Sequence, residues 1–471
     1  MINIKKSKYK ESLKDKCGIF GIYGKGEDVA RISFFGLYSL QHRGQEGAGI
    51  TVTDGKNLKS VKGLGLVSSV FDEKNIKSLK GFAAISHTRY STTGGNKLCN
   101  IQPIVLNLKD EVFALAHNGN IINAIDLARE LPSDIKLSST SDTEIMGWII
   151  RNSTGKNWEE KILSSFKKFQ GAFSMIILIK NKLIVFRDTY GFRPLVLGKL
   201  NGSYIVCSET CALDTVGAKF IREISPGEIV IIDEKGIHLS GKVKSSKKSF
   251  CLFEYVYLAR PDSIFNKQLV HQVRQRSGEL LSYESPVNAD LVVAVPDSGT
   301  SAAIGYSKAS GIPYGEILIK NRYIGRTFIQ PEHRIREMGV RIKYNPLKEI
   351  VKGKRIIIVD DSIVRGTTIK KIVKILKNCG AKKIHIRVCS PPVTDPCYFG
   401  IDTPDKKQLI ASHMTIKEIE KFIDADSLAY LTLDGLIKAS RIKSNKLCTS
   451  CFTGQYTTPI TGGFRKDVFE L

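Results

Sequence analysis

The chain has 471 residues, of which 42% are hydrophobic and 25% charged, a balance that excludes wholesale disorder, a collagen-like fibre and a membrane-embedded protein. That length exceeds what one hydrophobic core comfortably serves, so two domains are expected. Lys and Arg number 71 against 46 Asp and Glu, a net charge of +25. The basic residues are dispersed and no nucleic-acid motif accompanies them, so neither nucleic acid nor a membrane is expected as a partner.

No run of about 18 apolar residues is present, and the basic N-terminus lacks the apolar stretch of a secretory signal. Ten cysteines are too few for a disulfide scaffold. A reducing, cytoplasmic compartment is therefore expected, with thiols that are buried, catalytic or metal-bound.

In chain order, the first half predicts short strands at 17–22, 82–87, 112–116, 173–179, 183–186 and 204–207. Helices are predicted at 30–40, 121–131 and 143–151. A final strand at 228–232 precedes a polar linker at 241–249 (GKVKSSKKS). This is an α+β pattern. The second half changes character: apolar strands at 291–295, 355–359 and 384–388 each run into a glycine-bearing turn and a helix. That is the signature of a parallel sheet with ligand loops at the strand ends. The long basic stretch 320–346 between them suits a lid over phosphates.

Cys17 opens CGIFGIYG after sixteen polar residues. A cut after Lys16 would give it a free α-amine, whose pKa of roughly 7.7–8.0 makes it a better base near neutrality than a lysine. One residue would then supply nucleophile and base. In HTRYSTTG (87–94), Arg89 suits a bidentate grip on a carboxylate. In HNGN (117–120), the Asn118 side chain and the Gly119 N–H could form an oxyanion hole. In SDTE (141–144), Asp142 could hold an ammonium group. Together these residues would recognise an α-amino acid while attacking its side-chain carbonyl. Along with LQHRGQEGAGI (40–50), they closely resemble the glutaminase domain of the N-terminal-nucleophile amidotransferases. The resemblance implies a four-layer αββα fold, glutamine hydrolysis through a thioester on Cys17, and a propeptide at residues 1–16.

RIIIVDDSIVRGTT (355–368) delivers Asp360 and Asp361 from an apolar strand into a small-residue loop, with a helix starting near Thr368. Loop N–H groups and the Ser362, Thr367 and Thr368 hydroxyls suit a phosphate, and the two acids suit sugar hydroxyls or Mg²⁺. VPDSGTSAAIGY (295–306) offers Ser298, Gly299 and Thr300 for a pyrophosphate. A rival phosphate signal, GIHLSGKV (236–243), fails because Val stands where Ser or Thr must reach the metal. The two loops resemble the type I phosphoribosyltransferase fold. That resemblance implies phosphoribosyl pyrophosphate (PRPP) held by Asp297, Ser298, Gly299, Thr300, Lys320, Asp360, Asp361, Ser362, Arg365, Gly366, Thr367 and Thr368. It places Mg²⁺ at Ser298, Asp360 and Asp361, and makes 320–346 the family's flexible catalytic loop.

CTSC supplies Cys448 and Cys451, and Cys251 and Cys397 stand apart from it. Four such thiolates would suit Zn²⁺ or an iron–sulfur cluster equally, and spacing does not choose. Their surroundings, CLFEYVYLARPDS, PPVTDPCYFGID and LCTSCFTGQY, resemble the cluster-bearing subgroup of glutamine PRPP amidotransferases, which implies a [4Fe–4S] cluster.

As a whole the chain resembles that family. The resemblance implies domains at 17–250 and 251–471, the committed step of purine synthesis, ammonia passing internally between two sites, feedback inhibition by purine nucleotides, and a homotetramer. Hexosamine- or asparagine-forming amidotransferases would share only the first half, and a non-catalytic PRPP-sensing regulator only the second.

Overall fold

The computed structural model describes residues 17–90, 97–107, 111–244, 247–320, 344–403 and 405–460. In the first half, two antiparallel sheets stack face to face. One has seven strands, in the order Lys219–Glu223, Val196–Leu200, Ser203–Cys207, Gly18–Tyr23, Ala83–Arg89, Gly47–Thr53 and Leu58–Leu64. The other has six: Gly236–Lys242, Glu228–Asp233, Lys182–Arg187, Gly171–Ile179, Val112–Ile121 and Ile104–Asn107. Apolar residues that alternate along the strands, among them Ile19, Ile85, Ala114, Ala116, Ile176 and Val185, fill the space between the sheets. Helices Val29–Ser39 and Thr210–Val216 cover the outer face of the first sheet. Helices Ala124–Arg129, Asp142–Asn152 and Trp158–Phe166 cover the second. This is the αββα sandwich expected.

Three local expectations are corrected. The segment 121–131 does not begin as helix: strand Val112–Ile121 runs on until Ile121 pairs with Gly171, and the helix occupies only Ala124–Arg129. The strand at 228–233 is not the last, because Gly236–Lys242 folds back antiparallel on it. The rejected phosphate motif is thus an edge strand, and the polar linker begins later than 241. Strands Gly47–Thr53 and Leu58–Leu64 were also not foreseen.

The second half carries a four-stranded parallel sheet, Leu291–Ala294, Arg355–Asp360, Lys383–Val388 and Ser427–Tyr430, flanked by helices Val270–Glu284, Thr300–Ser310 and Thr367–Asn378. Strand Phe250–Cys251 pairs in parallel with Leu447–Cys448, tying the end of the chain to the connection between the halves. The core of this half reaches into the first through Ala172 and Phe192. Phe192 stacks on Phe399 with ring centres 4.3 Å apart.

Candidate active sites

Cys17 immediately precedes strand Gly18–Tyr23 and is buried. Its Sγ lies 3.4 Å from the carbonyl oxygen of Tyr90 and 3.5 Å from the Tyr90 N–H. Burial pushes the thiol up to about 12, against the pull of Arg89. Such a thiol needs a base. Arg89 ends the paired strand Ala83–Arg89 and is buried, close enough to Cys17 for its charge to act on the sulfur.

Asp142 opens helix Asp142–Asn152, whose cap is Ser141. Glu144 fixes the entry to this helix by accepting from the N–H groups of Ser138 and Ser139 at 2.9 and 2.7 Å. Burial works against the Asp142 carboxylate, but His117 and the Ile121 N–H outweigh it and hold the group below its ordinary value. Its Oδ2 accepts from Ile121 N at 3.1 Å, so a buried anion sits beside the HNGN strand.

Asn118 and Gly119 lie within strand Val112–Ile121. The Asn118 side chain is fully buried, yet among the described residues neither Oδ1 nor Nδ2 meets a partner. Buried amides are rarely left so, and where one is the reason is commonly functional. At Gly119 a Cβ would stand 1.9 Å from the Ala172 carbonyl oxygen, so only glycine fits there. The structure therefore gathers Cys17, Arg89, Asn118, Gly119 and Asp142 at one end of the two-sheet half. Of HTRYSTTG, residues 91–94 lie outside the described residues, as do 1–16.

Sequence reasoning missed the charges beneath this site. Arg43, 1% exposed, donates from Nε to the Cys17 carbonyl oxygen at 3.2 Å and also bonds Glu209 and Glu254. Glu254 accepts in turn from Arg193 at 3.3 Å. Arg43 stands in the quoted stretch LQHRGQEGAGI, but its partners are far away in the chain.

In the second half, Asp360 ends strand Arg355–Asp360 and Asp361 follows it, both largely buried. Burial raises the Asp361 carboxyl, against hydrogen bonds from Ser298 and Ser362 and the charge of Arg274. The Ser298 contact joins the two predicted loops into one site. Ser362 Oγ donates to Asp361 at 2.5 Å. Gly299 and Gly366 cap helices Thr300–Ser310 and Thr367–Asn378. Gly366 takes φ +72°, and a Cβ on Gly299 would lie 2.5 Å from the Val359 carbonyl oxygen. Both loops thus need glycine to bring helix N-termini to the strand ends. Lys320 forms an ion pair with Asp297. Arg365 reaches Gln408 at 2.7 Å. Thr367 and Thr368 open their helix. Of the basic stretch 320–346, residues 321–343 lie outside the described residues. Arg274 was not foreseen: it sits buried behind Asp361, bonded to the carbonyls of Tyr255 and Ala259 at 2.8 Å each.

The four singled-out cysteines also converge. Cys251 and Cys448 are register partners, and the Cys451 carbonyl accepts from Thr394 and Asp395, three and two residues before Cys397. Burial pushes the Cys251 and Cys448 thiols up to about 12, Cys451 is raised as well, and in all three other thiols of the set add to the rise. Arg193 Nη2 lies 4.0 Å from Cys397 Sγ, and Phe399 N donates to it at 3.4 Å. Among the described residues no three His, Cys, Asp or Glu side chains close to the spacing of a single metal ion. Cys389, with no role foreseen, lies buried against Asp360 and Asp361, which with burial raise its thiol well above the ordinary value.

A two-sheet nucleophile site and a parallel-sheet anion site on one chain define a bifunctional transferase of the amidotransferase class. Comparison with known proteins agrees. Residues 87–215 match the glutamine amidotransferase domain family, and residues 262–392 the phosphoribosyl transferase domain family. The amidophosphoribosyltransferase of Synechococcus elongatus is 48% identical over 465 residues, covering 97% of this chain and 94% of that one. That of Bacillus subtilis is 44% identical, with 96% of each chain covered. The solved B. subtilis glutamine PRPP amidotransferase, complexed with ADP and GMP, superposes with a TM-score of 0.89 at 43% identity, covering 95% of this chain and 99% of that one. The chain belongs to the amidophosphoribosyltransferases. It makes 5-phosphoribosylamine from PRPP with nitrogen taken from glutamine, the committed step of purine synthesis.

Proposed function

We propose that Cys17 is the glutaminase nucleophile of this enzyme and that the parallel-sheet site is where PRPP reacts. The observation that carries the first part is the fully buried Asn118 amide, without a partner among the described residues, on the strand of Gly119 and of Ile121, whose N–H bonds Asp142, while Arg89 and Asp142 act on the Cys17 thiol. Arg89 holds the glutamine carboxylate and Asp142 its ammonium group. Cys17 Sγ adds to the side-chain amide carbon, Asn118 and the Gly119 N–H hold the resulting oxyanion, and ammonia leaves as a thioester forms. Water then releases glutamate. The base is the α-amine uncovered when residues 1–16 are removed as a propeptide. We take 17–250 and 251–471 as the two domains.

Ammonia crosses to C1 of PRPP inside the protein, because bulk water would protonate it. There it displaces pyrophosphate. Asp360, Asp361, Ser362, Gly366, Thr367 and Thr368 hold the ribose phosphate, and Asp297, Ser298, Gly299, Thr300 and Lys320 the pyrophosphate, with Arg365 at the rim. Asp360, Asp361 and Ser298 would hold Mg²⁺ together with substrate oxygens, which would offset charge on the departing pyrophosphate.

Cys251, Cys397, Cys448 and Cys451 suit a [4Fe–4S] cluster. The buried Arg193 lies where it feels the Cys251, Cys397 and Cys448 thiols, a cation beside the set that would offset the negative charge of such a cluster. Purine nucleotides inhibit, in line with the ADP and GMP named for the B. subtilis structure, and the enzyme works in the cytoplasm as a homotetramer. Among the described residues no helix is long and apolar enough to cross a membrane.

The test is glutamate release by anaerobically purified protein with and without PRPP and Mg²⁺, alongside Cys17→Ala. Release should depend on PRPP. The variant should lose glutamine-dependent synthesis and keep synthesis from ammonium salts. Loss of both in a folded variant overturns the division of labour.

A further inference from the structure

The segment that follows Cys397 belongs to the second half but ends on the first. Asn120 Nδ2 donates to the Tyr398 carbonyl oxygen at 2.9 Å. Arg193 Nε donates to the Phe399 carbonyl oxygen at 2.9 Å, and the Phe399 ring lies on Phe192. One residue on, Gly400 reaches the backbone of Gly119. A Cβ on Gly400 would stand 3.0, 3.1 and 3.2 Å from the Gly119 carbonyl carbon, carbonyl oxygen and Cα. Gly119 is therefore confined from two directions, by the Ala172 carbonyl oxygen of the neighbouring strand and by Gly400.

That confinement matters because an oxyanion donor works only when held about 2.7–3.1 Å from where the charge develops. Glycine is the residue whose backbone is least restrained by its own side chain. At Gly119 the strand is paired on one side, with Gly171–Ile179, because the pairing of Ile104–Asn107 on the other side ends at Leu115. Something outside must hold it, and the residue that does so comes from the other half of the chain. At its far end the same four-residue segment is Cys397, whose sulfur meets the Phe399 N–H and Arg193.

We propose that Gly400 is a positioning residue for the glutaminase oxyanion hole, and that the segment 397–400 ties the thiolate set to the geometry of Gly119. The proposal rests on Asn118 and Gly119 being that hole.

The test uses the full chain with Gly400→Ala, which crowds the Gly119 peptide, and Asn120→Ala, which removes the tether without crowding. Glutamine-dependent kcat should fall about 10- to 100-fold, less than the loss of a whole donor. KM for glutamine should stay within about threefold, because Arg89 and Asp142 are untouched, and synthesis from ammonium salts should be unchanged. Binding of glutamate γ-semialdehyde, whose thiol adduct carries the oxyanion, should weaken by the same factor as kcat. Binding of glutamate should not weaken.

If both variants keep full kcat and aldehyde affinity while Asn118→Leu loses them, Gly400 does not position the hole. If Asn118→Leu also keeps them, the oxyanion reading itself fails. Parallel loss of ammonium-dependent synthesis and glutamate binding would assign Gly400 a merely structural role and overturn the proposal.

Discussion

Asn118 should be a residue that the fold would be better without. A buried amide that bonds nothing in the protein costs about 1–3 kcal/mol relative to a satisfied or apolar group. Leucine has nearly the same branched shape, so Asn118→Leu removes that cost without opening a cavity. For a cooperative unit of about 150–250 residues, each kcal/mol corresponds to about 2–4 °C in Tm. The variant should therefore melt at least about 2 °C higher than the parent, by differential scanning calorimetry of anaerobic protein. Glutamine-dependent kcat should fall by about 10²–10³, the usual result of losing one oxyanion donor. Synthesis from ammonium salts should not change. A variant that melts lower while retaining glutamine turnover would refute the reasoning, since the amide would then be serving the fold and not the reaction.

Two further predictions concern the same site. With its pKa at about 12, the Cys17 thiol is ionised to about one part in 10⁴ at pH 8 while residues 1–16 are attached. Its alkylation by iodoacetamide should then rise about tenfold per pH unit up to pH ~10, and should level off near pH ~8 once the α-amine is free. Peptide mass spectrometry reads this against exposed Cys99, and equal rates at the two cysteines in the uncut chain would contradict it. Asp142→Asn should raise KM for glutamine about 10- to 100-fold, the equivalent of one charge-assisted hydrogen bond, with ammonium-dependent synthesis intact. Because His117 and the Ile121 N–H outweigh burial and hold the Asp142 carboxyl below its ordinary value, protonation of Asp142 should not raise that KM between pH ~8 and ~5.

Features carried by contiguous residues were legible in the sequence. The apolar run of 355–359 followed by two acids announced its strand and loop, and HNGN and SDTE announced side chains that the fold does bring together. Strand Gly47–Thr53, GAGITVT, was not legible because three of its first positions are small residues, leaving no apolar alternation to read. The helix expected at 121 failed for a tertiary reason: pairing with Gly171 keeps Ile121 extended whatever its local preference. Partners far apart in the chain were invisible altogether. Arg43 meets Glu209 and Glu254 across 166 and 211 positions, and Asn120 meets Tyr398 across 278. No local pattern marks an arginine that will be buried between two acids.

That buried network has a physical purpose other than stability. Arg43, Arg193, Glu209 and Glu254 are all 1% exposed or less, two cations against two anions, so no net charge is stranded. Even so, ion pairs removed from water do little better than apolar packing in holding a fold together. What guanidinium forks supply is fixed distance and direction. Arg43 bonds the Cys17 carbonyl at one end of the network, and Arg193 bonds the Phe399 carbonyl and touches Cys397 at the other. Glu254, three residues after Cys251, bonds both arginines. Leucines in these places could slide by an ångström with little penalty, whereas a bidentate charge pair cannot. The proposed nucleophile and oxyanion donor, held from both halves of the chain, would need that intolerance, and registry between the halves is what such a polar junction supplies.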